Sequence, residues 1–182
     1  MDTEAIEVGA MAGSVERHEK DRFERLMREH GPAMVRLATA YERNAASRDD
    51  LVQEIALALW KALPGFRGEC SERTLVFRIA HNRAVTHIVR SRRGAPVEID
   101  HARDIADRRA TPELQASAGQ SRERLLAAVQ SLPLGQRQVI VLLLEGMSHA
   151  EIADVVGTTE GNVAVRATRA RRELRELLGD LR

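Results

Sequence analysis

The chain has 182 residues, enough for one large domain or two small ones. Its 28 Lys and Arg residues and 27 Asp and Glu residues give a formal net charge of +1, so overall charge alone does not indicate a nucleic-acid partner. The single cysteine, Cys70, excludes an intramolecular disulfide and a multi-cysteine zinc site. No apolar run approaches the roughly 20 residues of a membrane helix, and no signal peptide is evident. We therefore expect a cytoplasmic protein without membrane insertion.

Apolar residues recur every three or four positions along most of the chain, and no stretch alternates with the period of two that is typical of a strand. The sequence therefore predicts an all-α fold. Residues 94–120 contain prolines and glycines with little apolar periodicity, which indicates a flexible linker. We expect a flexible leader at 1–20, a helical domain at 21–93, the linker at 94–120 and a second helical domain at 121–182.

The first domain begins with two predicted helices. Phe23, Leu26 and Met27 start the first one, which we expect to end near Gly31. Pro32 suits the first turn of the next helix, because the amide hydrogen that proline lacks is not needed there. A helix boundary is therefore predicted at Gly31 and Pro32.

A third helix is predicted from an apolar stripe that includes Leu51 and Ile55, with Ser47 or Asp49 as its N-terminal cap. Three polar residues stand beside the stripe near the expected helix start: Asp50, Gln53 and Glu54. Acidic groups there stabilise the partial positive charge of a helix N-terminus, so they have a structural explanation. A polar protein-docking surface is the functional alternative, and composition alone does not decide between the two.

A loop, PGFRGECSERT, leads into a fourth helix with Ser71 as its expected cap. The helix ends in a basic cluster formed by Arg90, Arg92 and Arg93. Its expected apolar positions are Leu75, Ile79, Val85, Ile88 and Val89. Basic groups at a helix C-terminus favour the helix dipole, but the absence of acids after Glu72 is more than capping requires. Such a basic helix is typical of contacts to nucleic acid.

The second domain contains the most informative stretch, Ser148 to Leu174. Ser148 and Glu151 have the spacing of a capping box, Gly157 suits a left-handed helix end, and Thr159 can cap a second helix. That second helix has small apolar residues on one face and arginines on the others. This is the helix-turn-helix pattern, whose second helix enters the DNA major groove. An ordinary helical hairpin with a solvated arginine face is the alternative; the agreement of caps, turn and charge favours DNA binding.

Short motifs across both domains now support a resemblance. They are DLVQEI at 50–55, FRGE at 66–69, RIAHN at 78–82, SLP at 131–133, GMSHAEIADVVGTTEGNV at 146–163 and RARREL at 169–174. In their order and spacing they resemble the bacterial RNA polymerase sigma factors of the sigma-70 family, extracytoplasmic-function subgroup. The resemblance implies a protein that binds core RNA polymerase and promoter DNA and that pairs with an anti-sigma factor. It implies no enzymatic activity and no cofactor.

The resemblance also implies a role for individual positions. Docking on core polymerase falls to one helix and its tryptophan: Asp50, Gln53, Glu54 and Trp60. Binding and opening of the −10 promoter element fall to the loop and the helix after it: Phe66, Arg67, Ser71, Arg73, Arg78, Asn82, Arg90, Arg92 and Arg93. Binding of the −35 element falls to the helix-turn-helix: Ser148, Thr159, Glu160, Asn162, Arg166, Thr168 and Arg169.

The chain departs from the family pattern at several positions. The family usually has an aromatic residue at the position of Leu75 and often another at that of Glu72, so melting by stacking loses these two rings; Phe77 is expected in the core. In the second helix of the helix-turn-helix, Ala164 and Val165 stand where the family usually has a basic residue and a serine. We therefore predict that −35 readout is weakened and that the −10 side has the larger share of specificity.

Three other functions are weighed against the sigma factor. A helix-turn-helix regulator that acts without polymerase needs only the second domain and leaves DLVQEI and FRGE unexplained. A sigma-like interaction protein that no longer reads promoters is consistent with the departures above. An enzyme has the least support, because no carboxylate pair, nucleophile–base pair or phosphate loop stands out. The histidines lack the spacing of metal ligands.

Overall fold

The computed structural model describes the backbone of residues 3–94 and 115–179 and the side chains of residues 17–91 and 120–179. These residues form seven α-helices and one 3-10 turn at Leu63–Gly65, with no strand among them. The helices are α1 (Thr3–Tyr41), α2 (Ala45–Ala62), α3 (Glu72–Gly94), α4 (Gln115–Ser131), α5 (Leu134–Leu144), α6 (His149–Val156) and α7 (Glu160–Leu178). The predicted all-α fold and the helix-turn-helix, α6 and α7, are confirmed.

Contacts between Cα atoms divide the chain into two compact units, Met1–Ala84 and Val85–Arg182. The helical backbone begins at Thr3, inside the segment predicted as a leader, and α4 begins at Gln115, inside the predicted linker. Residues 95–114 of that linker lie outside the described residues. The predicted domain limits stay a prediction. Over the residues that the structure describes, no helix has an apolar stretch long enough to cross a membrane.

Helix α1 continues through Gly31 and Pro32, so the helix boundary predicted there is wrong. A proline inside a helix removes one hydrogen bond and costs about 3 kcal/mol. Side chains on both sides of the proline offset this cost, since Leu26, Met34 and Leu37 are almost completely buried and each contributes roughly 1.5–3 kcal/mol of burial. Pro32 itself faces solvent. Packing against α2 therefore keeps α1 in one piece.

Helix α2 begins before either predicted cap, so the assignment of Ser47 or Asp49 as cap is wrong. Asn44 is the N-cap, and its side-chain oxygen accepts a hydrogen bond from the Ser47 amide at 3.0 Å. The predicted stripe on α2 is confirmed, because Leu51 and Ile55 are fully buried.

Helix α3 buries a different stripe from the predicted one. The residues buried on it are Val76, Phe77, Ala80, His81, Ala84 and Ile88, with the preceding Thr74. Of the predicted positions only Ile88 is buried; Leu75, Ile79 and Val85 are half-buried and Val89 is exposed. Alanine and histidine occupy buried positions here, and neither stands out in an apolar pattern. The expectation that Phe77 belongs to the core is confirmed.

Candidate polymerase and DNA interfaces

The exposed side of α2 contains the three residues predicted to dock on polymerase. Asp50, Gln53 and Glu54 are all exposed, and the helical period places them opposite the buried stripe. Because α2 starts at Ala45, all three lie beyond its first turn, which has no acidic residue. The helix dipole acts mainly over that first turn. Stabilisation of the helix dipole therefore does not explain these polar residues, and the protein-docking surface remains as their explanation.

Leu57 lies on the same side of α2 and was missed at the sequence level. Its side chain is 54% exposed, and it follows Gln53 and Glu54 at helical spacings of four and three. We call the surface formed by Asp50, Gln53, Glu54 and Leu57 the docking face. The signal that could have found Leu57 is its position off the stripe of Leu51 and Ile55, since a leucine outside the buried face has no packing role.

Trp60 lies at the edge of the docking face. It is 41% exposed, and its ring packs edge-to-face on Phe23 of α1, with the ring centroids 5.3 Å apart. This contact fixes the indole while leaving part of it accessible. Aromatic residues held in this way are typical anchors of protein interfaces.

The loop between the 3-10 turn and α3, residues 66–71, has three of the residues predicted to bind the −10 element, and the other six lie on α3. Gly68 adopts φ +85°, a left-handed conformation that glycine reaches without strain. The amide of Thr74 donates to the Ser71 side-chain oxygen at 3.0 Å, so Ser71 caps α3 as predicted. Arg67 is exposed, and its amide donates to a Glu69 carboxylate oxygen at 3.3 Å. The loop is thus shaped by local bonds at its middle and its end.

Helix α1 reaches both ends of this loop. The Arg22 Nε donates to the Glu72 Oε1 at 2.7 Å, and the Arg25 Nη2 donates to the Glu72 Oε2 at 2.7 Å. The Arg22 guanidinium also lies over the Phe66 ring, 5.3 Å from its centroid. The hydrogen bond from Arg25, followed by that from Arg22, holds the pKa of Glu72 below its ordinary value against the opposing effect of burial. We call Arg22, Arg25, Glu72 and Phe66 the arginine clamp.

The solvent side of α3 presents its polar residues at helical spacing. Asn82, Arg83 and Arg90 are exposed, while Arg78 is half-buried with an Nε that has no hydrogen-bond partner among the described residues. Arg83 was not among the predicted site residues, although its positive charge on a helix without acids after Glu72 indicated a possible contact with DNA. Arg92 and Arg93 belong to α3, but their side chains lie outside the described ones. The exposed groups suit phosphate contact by arginine and base contact by Asn82.

Two further groups of α3 face inward. The Arg73 guanidinium lies over the ring of buried Phe77, 5.8 Å from its centroid, so part of this side chain serves packing. His81 is 3% exposed, and its Nδ1 has no hydrogen-bond partner among the described side chains and backbone. Burial lowers the pKa of His81 to about 4. His81 is therefore neutral near pH 7.

The helix-turn-helix forms as its sequence predicts. The Ser148 side chain accepts from the Glu151 amide at 3.2 Å, and the Glu151 carboxylate accepts from the Ser148 amide at 2.8 Å, which completes the capping box. Gly157 ends α6 at φ 72°. Thr159 caps α7 by accepting from the Asn162 amide at 3.3 Å. Ser148 and Thr159, both predicted to touch DNA, are thus also the residues that hold the two helix starts.

Helix α7 presents a mixed polar and apolar face. Its small residues Val163, Ala167 and Ala170 are fully buried against the other helices of the second unit. The exposed predicted residues are Glu160, Asn162, Thr168 and Arg169. Val165 lies at the centre of that exposed side and is 49% exposed, whereas Ala164 lies nearer its edge and is half-buried.

Several polar groups of α7 are already hydrogen-bonded within the protein. The Asn162 Nδ2 donates to the Thr158 hydroxyl at 2.9 Å, and the Arg166 Nε donates to the Asn162 Oδ1 at 3.1 Å. Arg166 lies over Gly135 of α5, where a Cβ atom would come within 3.5 Å of its guanidinium. The Thr168 hydroxyl donates to the Ala164 carbonyl at 2.9 Å. Asn162 and Arg166 are therefore oriented before any DNA arrives.

Comparison with known proteins agrees with this arrangement. Residues 26–94 match the family model of sigma-70 region 2, and residues 122–174 match that of sigma-70 region 4. The chain is 31% identical over 175 residues to the RNA polymerase sigma factor NccH of Alcaligenes xylosoxydans xylosoxydans, covering 93% of each chain. It is 35% identical over 153 residues to the ECF RNA polymerase sigma factor SigD of Mycobacterium tuberculosis, covering 80% of this chain and 71% of SigD.

Two solved structures are similar in fold. The sigma factor CnrH, in complex with the cytosolic domain of CnrY, superposes with a TM-score of 0.66 at 28% identity, covering 88% of this chain and 90% of CnrH. The sigma factor RpoE of Bartonella quintana, in complex with the anti-sigma factor NepR, has a TM-score of 0.66 at 23% identity and covers 87% and 97% of the two chains. The chain belongs to the sigma-70 family of bacterial RNA polymerase sigma factors, in the extracytoplasmic-function subgroup.

Proposed function

We propose that this sigma factor binds core RNA polymerase through the docking face of α2. The observation that carries this proposal is the exposure of Asp50, Gln53 and Glu54 around Leu57, beyond the reach of the helix dipole. A polar rim around an apolar residue is the usual anatomy of a protein interface. Trp60, fixed by Phe23, supplies an aromatic anchor at the edge.

Promoter recognition at −10 is assigned to the loop 66–71 and α3. Arg83 and Arg90 are exposed and suit phosphates, which fix the position of DNA without reading its sequence. Asn82 can hydrogen-bond the edge of a base that has left the duplex, and such bonds offset the few kcal/mol that unstacking costs. Arg92 and Arg93 are proposed to extend the phosphate contact.

Recognition at −35 is assigned to α7 in the major groove. Thr168 and Arg169 are exposed polar residues one turn beyond Val165; the Thr168 hydroxyl, like Asn162 and Arg166, is already hydrogen-bonded within the protein. Because an apolar side chain stands at the centre of the face, this element is proposed to read sequence less strictly than the −10 surface.

The chain itself is proposed to have no enzymatic activity and to act in the cytoplasm, where polymerase performs the chemistry. An anti-sigma factor is proposed as a further partner. The support is a solved structure in which CnrH, 28% identical to this chain, is bound to the cytosolic domain of the anti-sigma factor CnrY.

The decisive experiment reconstitutes the chain with core RNA polymerase and transcribes a library of genomic DNA fragments. The variant Asp50→Lys/Glu54→Lys is expected to lose affinity for core polymerase by roughly 30-fold or more, as interface hot spots do. The matched control is Asp21→Lys/Asp154→Lys, which makes the same change of charge at two exposed residues outside the docking face. It should bind core polymerase like the wild type.

Each other function gives a different result. A helix-turn-helix regulator would bind specific DNA alone and would not co-elute with core polymerase. A sigma-like interaction protein would co-elute but would start transcription from no fragment. Normal polymerase affinity in the doubly reversed variant would reject the docking face.

A further inference from the structure

The arginine clamp joins residues that are far apart in the chain. Glu72 is the first residue of α3, and Arg22 and Arg25 are 50 and 47 positions away from it on α1. The two arginines are three residues apart, so they lie on one side of α1. Each holds a different oxygen of the same carboxylate at 2.7 Å. The start of α3 is thereby tied to α1 at two points.

Arg22 also touches the opposite end of the loop. Its guanidinium lies over the Phe66 ring while its Nε holds Glu72, so one side chain bridges the first residue of the loop and the first residue after it. The Arg22 and Glu72 side chains are only 27% and 29% exposed, so solvent and salt weaken their attraction less than that of a surface pair. With one face of Phe66 covered, the position of this ring is set before DNA binds.

The clamp also settles the charge beside the predicted DNA surface. A lone carboxylate at position 72 would repel the phosphates that Arg83 and Arg90 are proposed to hold. Arg22 and Arg25 lie against it, and the Arg25 Nη1 is also 3.7 Å from a Glu29 carboxylate oxygen, so the two cations balance two carboxylates. Because both arginines are engaged with Glu72, their main effect is on the shape of the loop.

We propose that Arg22 and Arg25 are positioning residues of −10 recognition, which hold Glu72 and Phe66 so that the loop is shaped to receive an unpaired promoter base. This inference rests on the proposed function of the loop. It assigns a part in promoter reading to α1, a helix to which no DNA contact is assigned.

A double-mutant cycle on the reconstituted holoenzyme tests the inference. The probe is a labelled single-stranded oligonucleotide covering the −10 strand of a promoter found in the transcription experiment, with a scrambled oligonucleotide beside it. Arg22→Gln and Glu72→Gln are each expected to weaken binding of the promoter strand about five-fold. The double variant should be weakened by clearly less than the product of the two single effects, because the Arg22–Glu72 bond is lost in both single variants.

The Glu72→Gln variant discriminates most sharply, because removal of an acid near DNA ordinarily strengthens binding. The slope of the logarithm of the binding constant against the logarithm of the salt concentration should stay unchanged in Arg22→Gln. Loss of a phosphate contact would instead lower the size of this slope by about 0.7 for a single strand. Arg28→Gln, which removes an exposed positive charge from α1 three residues beyond Arg25 and outside the clamp, is the control and should bind as the wild type does.

Stronger binding by Glu72→Gln, additive effects in the double variant, or a reduced salt slope in Arg22→Gln would overturn the inference and make Arg22 a direct phosphate contact. Failure of the proposed function looks different: the wild-type holoenzyme itself would bind promoter and scrambled strands equally. Thermal unfolding verifies that the variants are folded. If Arg22→Gln is not, Arg22→Lys replaces it with the same expectation, since lysine keeps the charge but not the planar group over Phe66.

Discussion

The two regions proposed to bind DNA hold their polar groups in different ways. In the helix-turn-helix, Ser148 bonds with Glu151, Thr159 with Asn162, and Asn162 with Arg166, all within four residues along the chain. The loop before α3 is held by Arg22, which pairs with Glu72 at a distance of 50 residues in sequence. One region is shaped by bonds within its own sequence, and the other by local bonds together with contacts from a distant helix.

This difference affects how each region responds to change. A local cap forms as soon as its helix forms, so it survives small shifts elsewhere in the protein. A contact between distant helices depends on the packing of α1, α2 and α3 and on the charge state of Glu72. We therefore expect the −10 region to be the more sensitive one to pH and to substitutions outside the DNA surface.

Acid should produce the largest effect, in the first unit. The pKa of His81 is lowered to about 4 by burial, from an ordinary value of 6.5. The unfolded chain therefore binds a proton first as pH falls, and the stability linked to neutral His81 is present above pH 6.5 and lost towards pH 4. We expect the free energy of unfolding to fall by about 2 kcal/mol at pH 5 and about 3 kcal/mol at pH 4. Glu72, whose pKa is lowered, acts in the same direction as it becomes protonated.

Urea unfolding followed by tryptophan fluorescence measures this effect, because the chain has one tryptophan, Trp60, and it lies in the first unit. His81→Leu should flatten the pH dependence by removing the largest contribution. His18→Leu, at an exposed histidine, is the control and should keep the wild-type dependence. An equally steep pH dependence in His81→Leu would contradict the prediction.

The second-largest effect is expected on promoter transcription, from substitution of one asparagine in each DNA-binding region. Asn82→Ala is expected to reduce promoter transcription about tenfold, the size of a lost base contact of 1–3 kcal/mol. Asn162→Ala should cost less, because an apolar side chain, Val165, stands at the centre of the exposed face of α7 and weakens −35 readout. Transcription from promoters scrambled separately at −10 and at −35 measures both. A protein that tolerates −10 scrambling but not −35 scrambling would reverse the predicted division of labour.

The smallest effect should come from strengthening the weaker region. Ala164→Arg adds a positive charge at the edge of the exposed face of α7 and should tighten −35 duplex binding roughly two- to five-fold. The slope of binding against salt should rise by about 0.9, one phosphate contact on duplex DNA. Ala164→Gln, similar in reach but uncharged, should leave the slope alone. Equal slopes for the two variants would show that position 164 does not reach a phosphate.

Most features that span a few residues could be predicted from the sequence, with the cap of α2 at Asn44 as an exception. The capping box at Ser148, the left-handed end at Gly157 and the cap at Thr159 form as predicted, because each depends only on residues three or four positions apart. The apolar stripe of α2 is likewise set by helical period. The assignment to a sigma factor, made from motifs in both domains, is confirmed by the family matches.

Features that depend on packing between helices could not be predicted from local sequence patterns. Pro32 signals a helix start locally, and only burial on both sides of it keeps α1 continuous. The buried side of α3 is occupied partly by alanines and His81, which a search for large apolar residues passes over. Pairing of Glu72 with Arg22 follows from how α1 meets α3, and no local pattern encodes it. The roles of the individual interface residues stay predictions.

The bridge from α1 to the loop limits how promoter specificity can be exchanged between sigma factors. A chimera that imports residues 66–72 of this chain alone would bring in a carboxylate without its two cations. An aromatic residue placed at position 72 of this chain would leave Arg22 and Arg25 without their shared counter-ion. The promoter-reading loop therefore does not keep its shape when it is moved alone. Positions 22, 25 and 72 should be transferred together in a chimera, and we expect them to change together in evolution.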